Sequence, residues 1–581
     1  MNRLSIFQIA EFAGAAVSSG DGKVSIDKIS TDSRTLKRGE LFVALRGENF
    51  DAHNFVESVA KAGAAGAIED SNWVGKIPEN FTLIRTEDTL QAYQNLAANY
   101  RKSLPLKVVA ITGSNGKTST KDFTAAVLGR RFRVTKTQGN FNNYVGLPRT
   151  ILEATSQDEV AVWEIGMNHP GEVAVLAKLA APDAAIITNI GVAHIEFMGS
   201  REAIAAEKGA LAQAVGPEGT VILNADDPFS KSIAPSTSAK VILAGTTEGT
   251  VRAREITQSA NGTDFTILEG AHRCRAQLPV PGLHMVQNAL LGVAAGRIFG
   301  LSLEDCAAGL ATAPLTKARL QIKEIHGVQF IDDSYNANPD SMKAALRTLV
   351  ELDADGKRIA VLGEMRELGD ESERGHSEVG ETAAALRVDY LIAIGKVAAA
   401  IVRAAERAGL EKTRAVTSTS EAAEILAEIA EPGDLVLIKG SRAARTELVM
   451  EEFGNRHSPS GWRHDVLPPS PERPVYRVQR FLLCHIPSCR GGGDGFPSHA
   501  DFRKFHYSNA DRTEAGTTNS GRGRSSSACR VARRKARDAN DGRRAHYWSG
   551  FCIKLHLGPS RQSLRLARLV QHDLSRHARI R

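Results

Sequence analysis

The sequence predicts an α/β protein of three domains, with a central doubly wound parallel sheet of the phosphate-loop type and a second, smaller parallel sheet after it. Three observations carry this. The chain has 581 residues, several times the roughly 150 typical of one domain. Short apolar runs of strand length alternate with helical patterns, the mark of parallel sheets wound by helices. One such run leads into LKVVAITGSNGKTSTKDFTAAVLG (106–129), a strand, a glycine turn and an amphipathic helix in that order. Hydrophobic residues make up 42% and charged residues 24% of the chain, near globular averages, which excludes a wholly disordered or fibrous protein.

The elements follow in chain order. Residues 1–105 hold short strands such as ELFVAL (40–45) and an Ala-rich helix from Asn54 to Ala64, with no phosphate loop, and read as a small α/β recognition domain. Residues 106–316 hold the glycine turn and the buried-strand runs VAVWEIG (160–166), AAIITNIG (184–191) and TVILNAD (220–226), separated by helical patterns such as EVAVLAKLA (172–180). Residues 317–455 repeat the alternation with RIAVLGEM, VDYLIAIG and GDLVLIKGS.

Residues 456–581 differ in kind. The chain has 73 basic and 66 acidic residues; 25 basic and 9 acidic ones lie from Arg456 onward, leaving 48 and 57 before it. The body is therefore acidic and the basicity is local. Of the 25, only Lys504, Lys535 and Lys554 are lysine, and runs such as NSGRGRSSSACRVARRKARD have neither helical nor strand period. No packed core is expected there. The stretch reads either as a basic arm for nucleic-acid or membrane phosphates or as a disordered appendage, even translation in a shifted frame. The Arg-for-Lys bias with stray Cys, His and Trp favours the second, and nucleic acid is not an expected partner. Cys274 and Cys306, the body's two cysteines, read as reduced thiols of a cytoplasmic protein. Glu11 interrupts the N-terminal apolar stretch and no run of 18 apolar residues follows, so neither export nor membrane insertion is expected.

Gly113-Ser114-Asn115-Gly116-Lys117-Thr118-Ser119 carries the strongest chemical signal. Between strand and helix, its backbone N–H groups and the positive helix end converge on a phosphate, while Lys117 reaches the outer phosphates and Thr118 can ligate Mg²⁺. The loop departs from the standard spacing, with Ile at 111 and its first glycine three residues before Gly116. A glycine turn with an incidental Lys-Thr is the bland alternative. Magnesium triphosphate also needs a carboxylate near the loop, and Glu164 ends a neighbouring strand run. His194 follows another strand where ligand crevices open, although a lone His is more often a packing residue.

Taken together, TGSNGKTS, GNFNNYVGLPRT (139–150), WEIGMNHPGE (163–172), AHIEFMGSREAIAAEKG (193–209), NADD (224–227), DDSYNANPDSM (332–342), LGEMRELGDES (362–372) and KGSRAA (439–444) occur in the order seen in the Mur ligases. The chain resembles that family over residues 1–455. The DSYNANP and GEMRELG strings make it most similar to the members that join D-alanyl-D-alanine to UDP-N-acetylmuramoyl-tripeptide, and argue against those adding diaminopimelate, lysine or glutamate. The resemblance implies a UDP-sugar-binding domain (1–105), an ATPase domain (106–316) and a Rossmann-like domain for the incoming dipeptide (317–455). It implies ATP and two Mg²⁺ as cofactors, a cytoplasmic place in peptidoglycan precursor synthesis, and an acyl-phosphate route. Monomer is the default expectation. The third residue of the tripeptide, diaminopimelate or lysine, stays open.

The same resemblance distributes the site residues. Lys117, Glu164, His194 and Lys208 would be catalytic, with Thr118, Glu164, His194 and a carbamylated Lys208 as metal ligands. On pattern alone Lys208 beside Glu207 is a solvated pair; carbamylation would replace a cation next to metals with an anion. Asn288, Arg319 and Asp333 would contact adenine and ribose, although Ala318 stands where the family usually has Gly. Asn142, Asn143 and His169 would line the muramoyl-peptide channel, turn chemistry being the bland reading of the asparagines. Ser33, Arg34 and Asn49, in TDSRTLKRGELFVALRGENFDAHNF (31–55), would hold the uridine nucleotide. Ser441 and Arg442, at the expected start of a helix, would bind the dipeptide carboxylate.

Overall fold

The computed structural model describes residues 1–47 and 49–456. The expectations for the basic stretch 457–581 lie outside the described residues.

The first sheet has five strands, in the order Ala16–Ser19, Thr82–Thr86, Gly66–Asp70, Leu41–Val43, Ile29–Ser30, all parallel except the first pair. The run ELFVAL supplies three strand residues, all buried. The Ala-rich stretch forms a 3₁₀ turn over Ala52–Phe55 and a six-residue helix, Val56–Lys61, shorter than the expected 54–64. Gly63, with φ 91°, ends it. The helix Thr89–Ser103, capped by Asp88, ties this sheet to the next. Its buried Tyr100 hydroxyl donates to the Ala154 carbonyl at 2.7 Å.

Nine strands form the central sheet, in the order His272–Leu278, Gly262–Glu269, Val251–Ser259, Lys240–Gly245, Thr220–Asn224, Ala184–Ile187, Lys107–Thr112, Val160–Glu164, Val134–Lys136. The last seven run parallel. Their apolar runs are long because helices cover both faces. The expectation of a parallel sheet therefore holds for its core, whereas the first three strands form an antiparallel meander. Its tight connection at Gly270-Ala271 permits an antiparallel return without a crossover helix. Strands Val160–Glu164 and Ala184–Ile187 flank Lys107–Thr112 on opposite sides. The chain order reverses there, and ligand crevices open at the carboxyl ends of such strands.

A six-stranded sheet follows, in the order Gln321–Ile325, Val328–Asp332, Leu435–Lys439, Arg358–Gly363, Tyr390–Ile394, Thr413–Val416, with one antiparallel pair at the edge. After Lys439 the chain makes only a 3₁₀ turn, Arg442–Ala444, and the helix starts at Glu447. This corrects the expected helix start at Ser441: Arg445, in the left-handed region at φ 47°, interrupts the helical path. Among the described residues no helix is long and apolar enough to cross a membrane.

Candidate active site

The carboxyl ends of the central strands and the facing edge of the third sheet enclose a cleft of about 750 Å³. The phosphate loop forms its floor. Gly113 (φ 147°) and Gly116 (φ 79°) lie in conformations that side chains avoid. A Cβ at Gly113 would stand 1.8 Å from Thr188 Oγ1, and one at Gly116 2.3 Å from Asn288 Oδ1. The helix Lys117–Leu128 begins directly after Gly116, so its free N–H groups open onto the loop. Lys117 Nζ donates to the carbonyls of Gly113 (2.8 Å) and Ser114 (3.4 Å). Burial pushes its ammonium below the ordinary range, and Glu164 partly restores it. Ser114 and Ser119 are buried beside it and also line the cleft.

Glu164 ends its strand almost wholly buried and is held from two sides. Thr118 Oγ1 donates to Oε2 at 3.0 Å and Asn142 Nδ2 to Oε1 at 2.8 Å. Arg319 Nη2 reaches Thr118 Oγ1 at 3.1 Å, and its guanidinium lies 4.3 Å from the Tyr335 ring centre. Magnesium is a hard cation that takes one or two carboxylates and fills its shell with water and phosphate oxygens. The Thr118–Glu164 oxygens at the mouth of a phosphate loop fit it. Among the described residues no three His, Cys, Asp or Glu side chains converge as a metal cluster.

His194 lines the same cleft with φ 64°, and its Nδ1 stands 2.6 Å from Glu367 Oε2, at an angle off the ideal hydrogen bond. His194 holds the Glu367 carboxyl below its ordinary range. Lys208 lies behind the lining, buried. Burial, then the charge of Lys117, pushes its ammonium well below the ordinary range. The solvated pair with Glu207 is not formed. Glu207 instead accepts the backbone N–H groups of Gly171 and Val173, each at 2.7 Å.

Asn288, Arg319 and Asp333 all line the cleft. Asn288 packs on Gly116, while Asp333 accepts a hydrogen bond from buried Lys439 at 2.5 Å. Asn142 and Asn143 line it as well. Asn143 also does turn chemistry, its Oδ1 taking the N–H of Gly146 at 2.9 Å. His169 sits outside the lining, exposed, against Glu172 and the Phe197 ring. Ser441 and Arg442 line the far wall; the Ser441 hydroxyl is buried without a hydrogen-bond partner, and Arg442 pairs with Glu447 at 3.2 Å. Ser33, Arg34 and Asn49 are not brought to this cleft. Arg34 is exposed and forks onto Asp32, so the first sheet offers a separate surface.

Comparison with known proteins matches the sequence model "Mur ligase middle domain" to residues 111–296 and "Mur ligase, glutamate ligase domain" to residues 318–442. A Bacillus subtilis protein named UDP-N-acetylmuramoyl-tripeptide--D-alanyl-D-alanine ligase is 41% identical over 431 residues, 74% of this chain and 93% of its own length. The chain belongs to the Mur ligase family. An Escherichia coli relative of the same name is 36% identical over 78% of this Mur ligase and 98% of its own length. A crystal structure of MurF from Acinetobacter baumannii matches with a TM-score of 0.74 and 33% identity, covering 78% of this chain and 99% of that one. The structure of the MurF ligase from Thermotoga maritima in complex with ADP matches with a TM-score of 0.67 and 28% identity, covering 74% and 97%.

Several polar groups of this Mur ligase's cleft escape sequence reasoning. His284 lines it, and burial pushes its imidazolium down to about 4, so it presents a neutral ring. Lys439 is a buried lysine between Asp333 and the Asn336 carbonyl. Asn338 and Asp340 approach the phosphate loop from the third sheet's side. Asn338, Asp340 and Lys439 lie in the strings DDSYNANPDSM and KGSRAA that carry the resemblance, but no local pattern gives them a place in the cleft.

Proposed function

We propose that the chain is an ATP-dependent carboxylate–amine ligase that joins D-alanyl-D-alanine to UDP-N-acetylmuramoyl-tripeptide, giving UDP-N-acetylmuramoyl-pentapeptide, ADP and phosphate. It works as a monomer, in the cytoplasm, in peptidoglycan precursor synthesis. Uridine-nucleotide binding falls to residues 1–105, with Ser33, Arg34 and Asn49, ATP binding to 106–316, and dipeptide binding to 317–455. The observation that carries the reading is the single cleft shared by Lys117, Thr118, Glu164 and His194 of the central sheet with Asp333, Ser441 and Arg442 of the third. The relatives' shared name and near-complete coverage supply the substrates.

In the first step the tripeptide carboxylate attacks the γ-phosphorus; the new O–P bond forms as the bond to the bridging oxygen breaks, and ADP leaves. In the second, the dipeptide ammonium gives one proton to solvent; the free amine attacks the acyl carbon, and the tetrahedral intermediate expels phosphate, which carries off the nitrogen's second proton, to leave the amide. Two anions meet in the first step. Lys117 and the N–H groups of its loop offset their repulsion and the charge that develops. Arg319, tethered to Thr118, adds a second cation, and the buried Ser441 hydroxyl with Arg442 receives the dipeptide carboxylate.

Thr118 and Glu164 would hold one Mg²⁺, and His194 with a carbamylated Lys208 a second; bound there, the ions would supply further charge neutralisation. Carbamylation suits Lys208 because a neutral amine adds carbon dioxide, forming an N–C bond and releasing a proton, and burial disfavours the charged form of this amine. Phosphate release from ATP is the test, with UDP-N-acetylmuramoyl-tripeptide present and D-alanyl-D-alanine or single amino acids supplied in turn. Release with the dipeptide alone supports the reading; equal release with diaminopimelate, lysine or glutamate sinks it.

A further inference from the structure

We infer that Asn338 is a positioning residue that couples docking of the third-sheet domain to the arrangement of the phosphate loop. The inference rests on the proposed binding of ATP at that loop. Asn338 is the N-cap of the helix Pro339–Glu351. Its Oδ1 accepts the Ser341 N–H at 3.0 Å, and Ser341 Oγ in turn accepts the Asn338 N–H at 3.0 Å. The cap consumes the amide oxygen and so directs the amide nitrogen. Nδ2 donates to Asn115 Oδ1 at 2.7 Å, across a separation of 223 residues.

Asn115 is the middle of the phosphate loop, and its backbone is committed to the central sheet. Its N–H donates to Asn189 Oδ1 (3.0 Å), and its carbonyl accepts from Thr188 Oγ1 (2.5 Å) and Asn189 Nδ2 (3.1 Å). Its side-chain oxygen is the atom that accepts from the third domain. Two residues beyond the cap, Asp340 Oδ2 accepts the Val192 N–H at 3.1 Å. It reaches that N–H through space that Gly191 leaves open, since a Cβ there would stand 2.4 Å from Asp340 Oδ2. Gly191 N–H meanwhile donates to Ser114 Oγ of the loop at 2.8 Å. The first turn of one helix therefore grips the loop and its support at once.

The residue type carries the argument further. Asn, Asp and Ser cap helices about equally well. Asp has no donor when ionised, and Ser has only its capping atom to donate from; among these three only Asn caps with one atom and donates from a second, Nδ2, further along the side chain. A residue chosen for the helix alone has no need of that nitrogen. Docking and loop arrangement then form one equilibrium, and a nucleotide held by the arranged loop draws the domains together.

The test uses variants that keep the cap, Asn338→Ser and Asn338→Asp, in the full chain. Melting temperature reports the fold, and titration with the non-hydrolysable analogue AMP-PNP and Mg²⁺ reports the loop. Melting temperature should stay at the wild-type value while the AMP-PNP Kd rises about five- to tenfold for Asn338→Ser. Asn338→Asp should bind more weakly still, because it turns a carboxylate towards Asn115 Oδ1. In combination with Asn115→Ala, Asn338→Ser should add little, since both remove one hydrogen bond. Wild-type affinity in either cap-keeping variant, or penalties that add in full, overturns the coupling while leaving the ATP reading intact. Failure of the wild-type chain to bind AMP-PNP overturns the ATP reading and the coupling with it.

Discussion

A carboxylate taken out of water must find donors, and two of the buried acids, Glu164 and Glu69, meet that demand differently. Glu164 has a donor on each oxygen. Glu69, in the first sheet, has only Arg85, 3.0 Å away but not aligned for a hydrogen bond. Burial pushes its carboxyl from 4.5 up to about 7. The folded chain therefore holds this proton more tightly than the unfolded one, so the associated stability is complete below about pH 4.5 and drains as pH rises through 7. Glu69→Gln should remove that decline, a difference of about 2 kcal/mol between pH 5 and 8, read from urea unfolding at several pH values. Arg442 offers a kinetic counterpart. Arg442→Ala should raise the KM for D-alanyl-D-alanine about tenfold while the KM for ATP stays unchanged; equal shifts in both would remove Arg442 from the dipeptide site.

Among the elements, the linker into the third sheet does the most with the fewest residues. Thr316 donates to Asp122 of the phosphate-loop helix with both its N–H (2.9 Å) and its hydroxyl (2.7 Å), and Arg319 reaches Thr118. Between them Ala318 has φ 59°, and Leu320 follows at φ 52°. Left-handed backbone costs an alanine about 1–2 kcal/mol, partly offset by the freer unfolded chain that glycine brings. Ala318→Gly should therefore stabilise the protein by about 0.5–1 kcal/mol, seen as a higher midpoint in thermal unfolding. The strands were readable because covered parallel strands are continuous apolar runs, as in VAVWE and LVLIK. The meander 251–278 was not, because its code is alternation, V-R-A-R in one strand, rather than a run. Likewise the loop residues announced themselves by local spacing, whereas Asn338 and Asn115 meet only through the fold, and no local pattern marks either as a partner.

At the scale of the molecule, charge and chemistry are separated along the chain. Residues before Arg456 carry the acidic excess, and every residue lining the cleft lies between Ser114 and Ala443. Deleting residues 457–581 should leave ligase turnover unchanged while abolishing any salt-sensitive retention on DNA or anionic vesicles; loss of turnover would give the basic stretch a part in the reaction. Ser33, Arg34 and Asn49 of the first-sheet domain do not line the cleft; a uridine nucleotide held there, as proposed, would leave the muramoyl tripeptide to span the distance to Lys117.

The antiparallel meander offers a practical handle. Its two-residue tip, Gly270-Ala271, is exposed, and open space surrounds the position a Cβ would take on Gly270. None of the strands Val251–Ser259, Gly262–Glu269 and His272–Leu278 contributes a wall to the reaction chamber. A short epitope or biotin-acceptor peptide spliced between those two residues would immobilise the catalyst on a sensor chip through residues that take no part in the cleft lining.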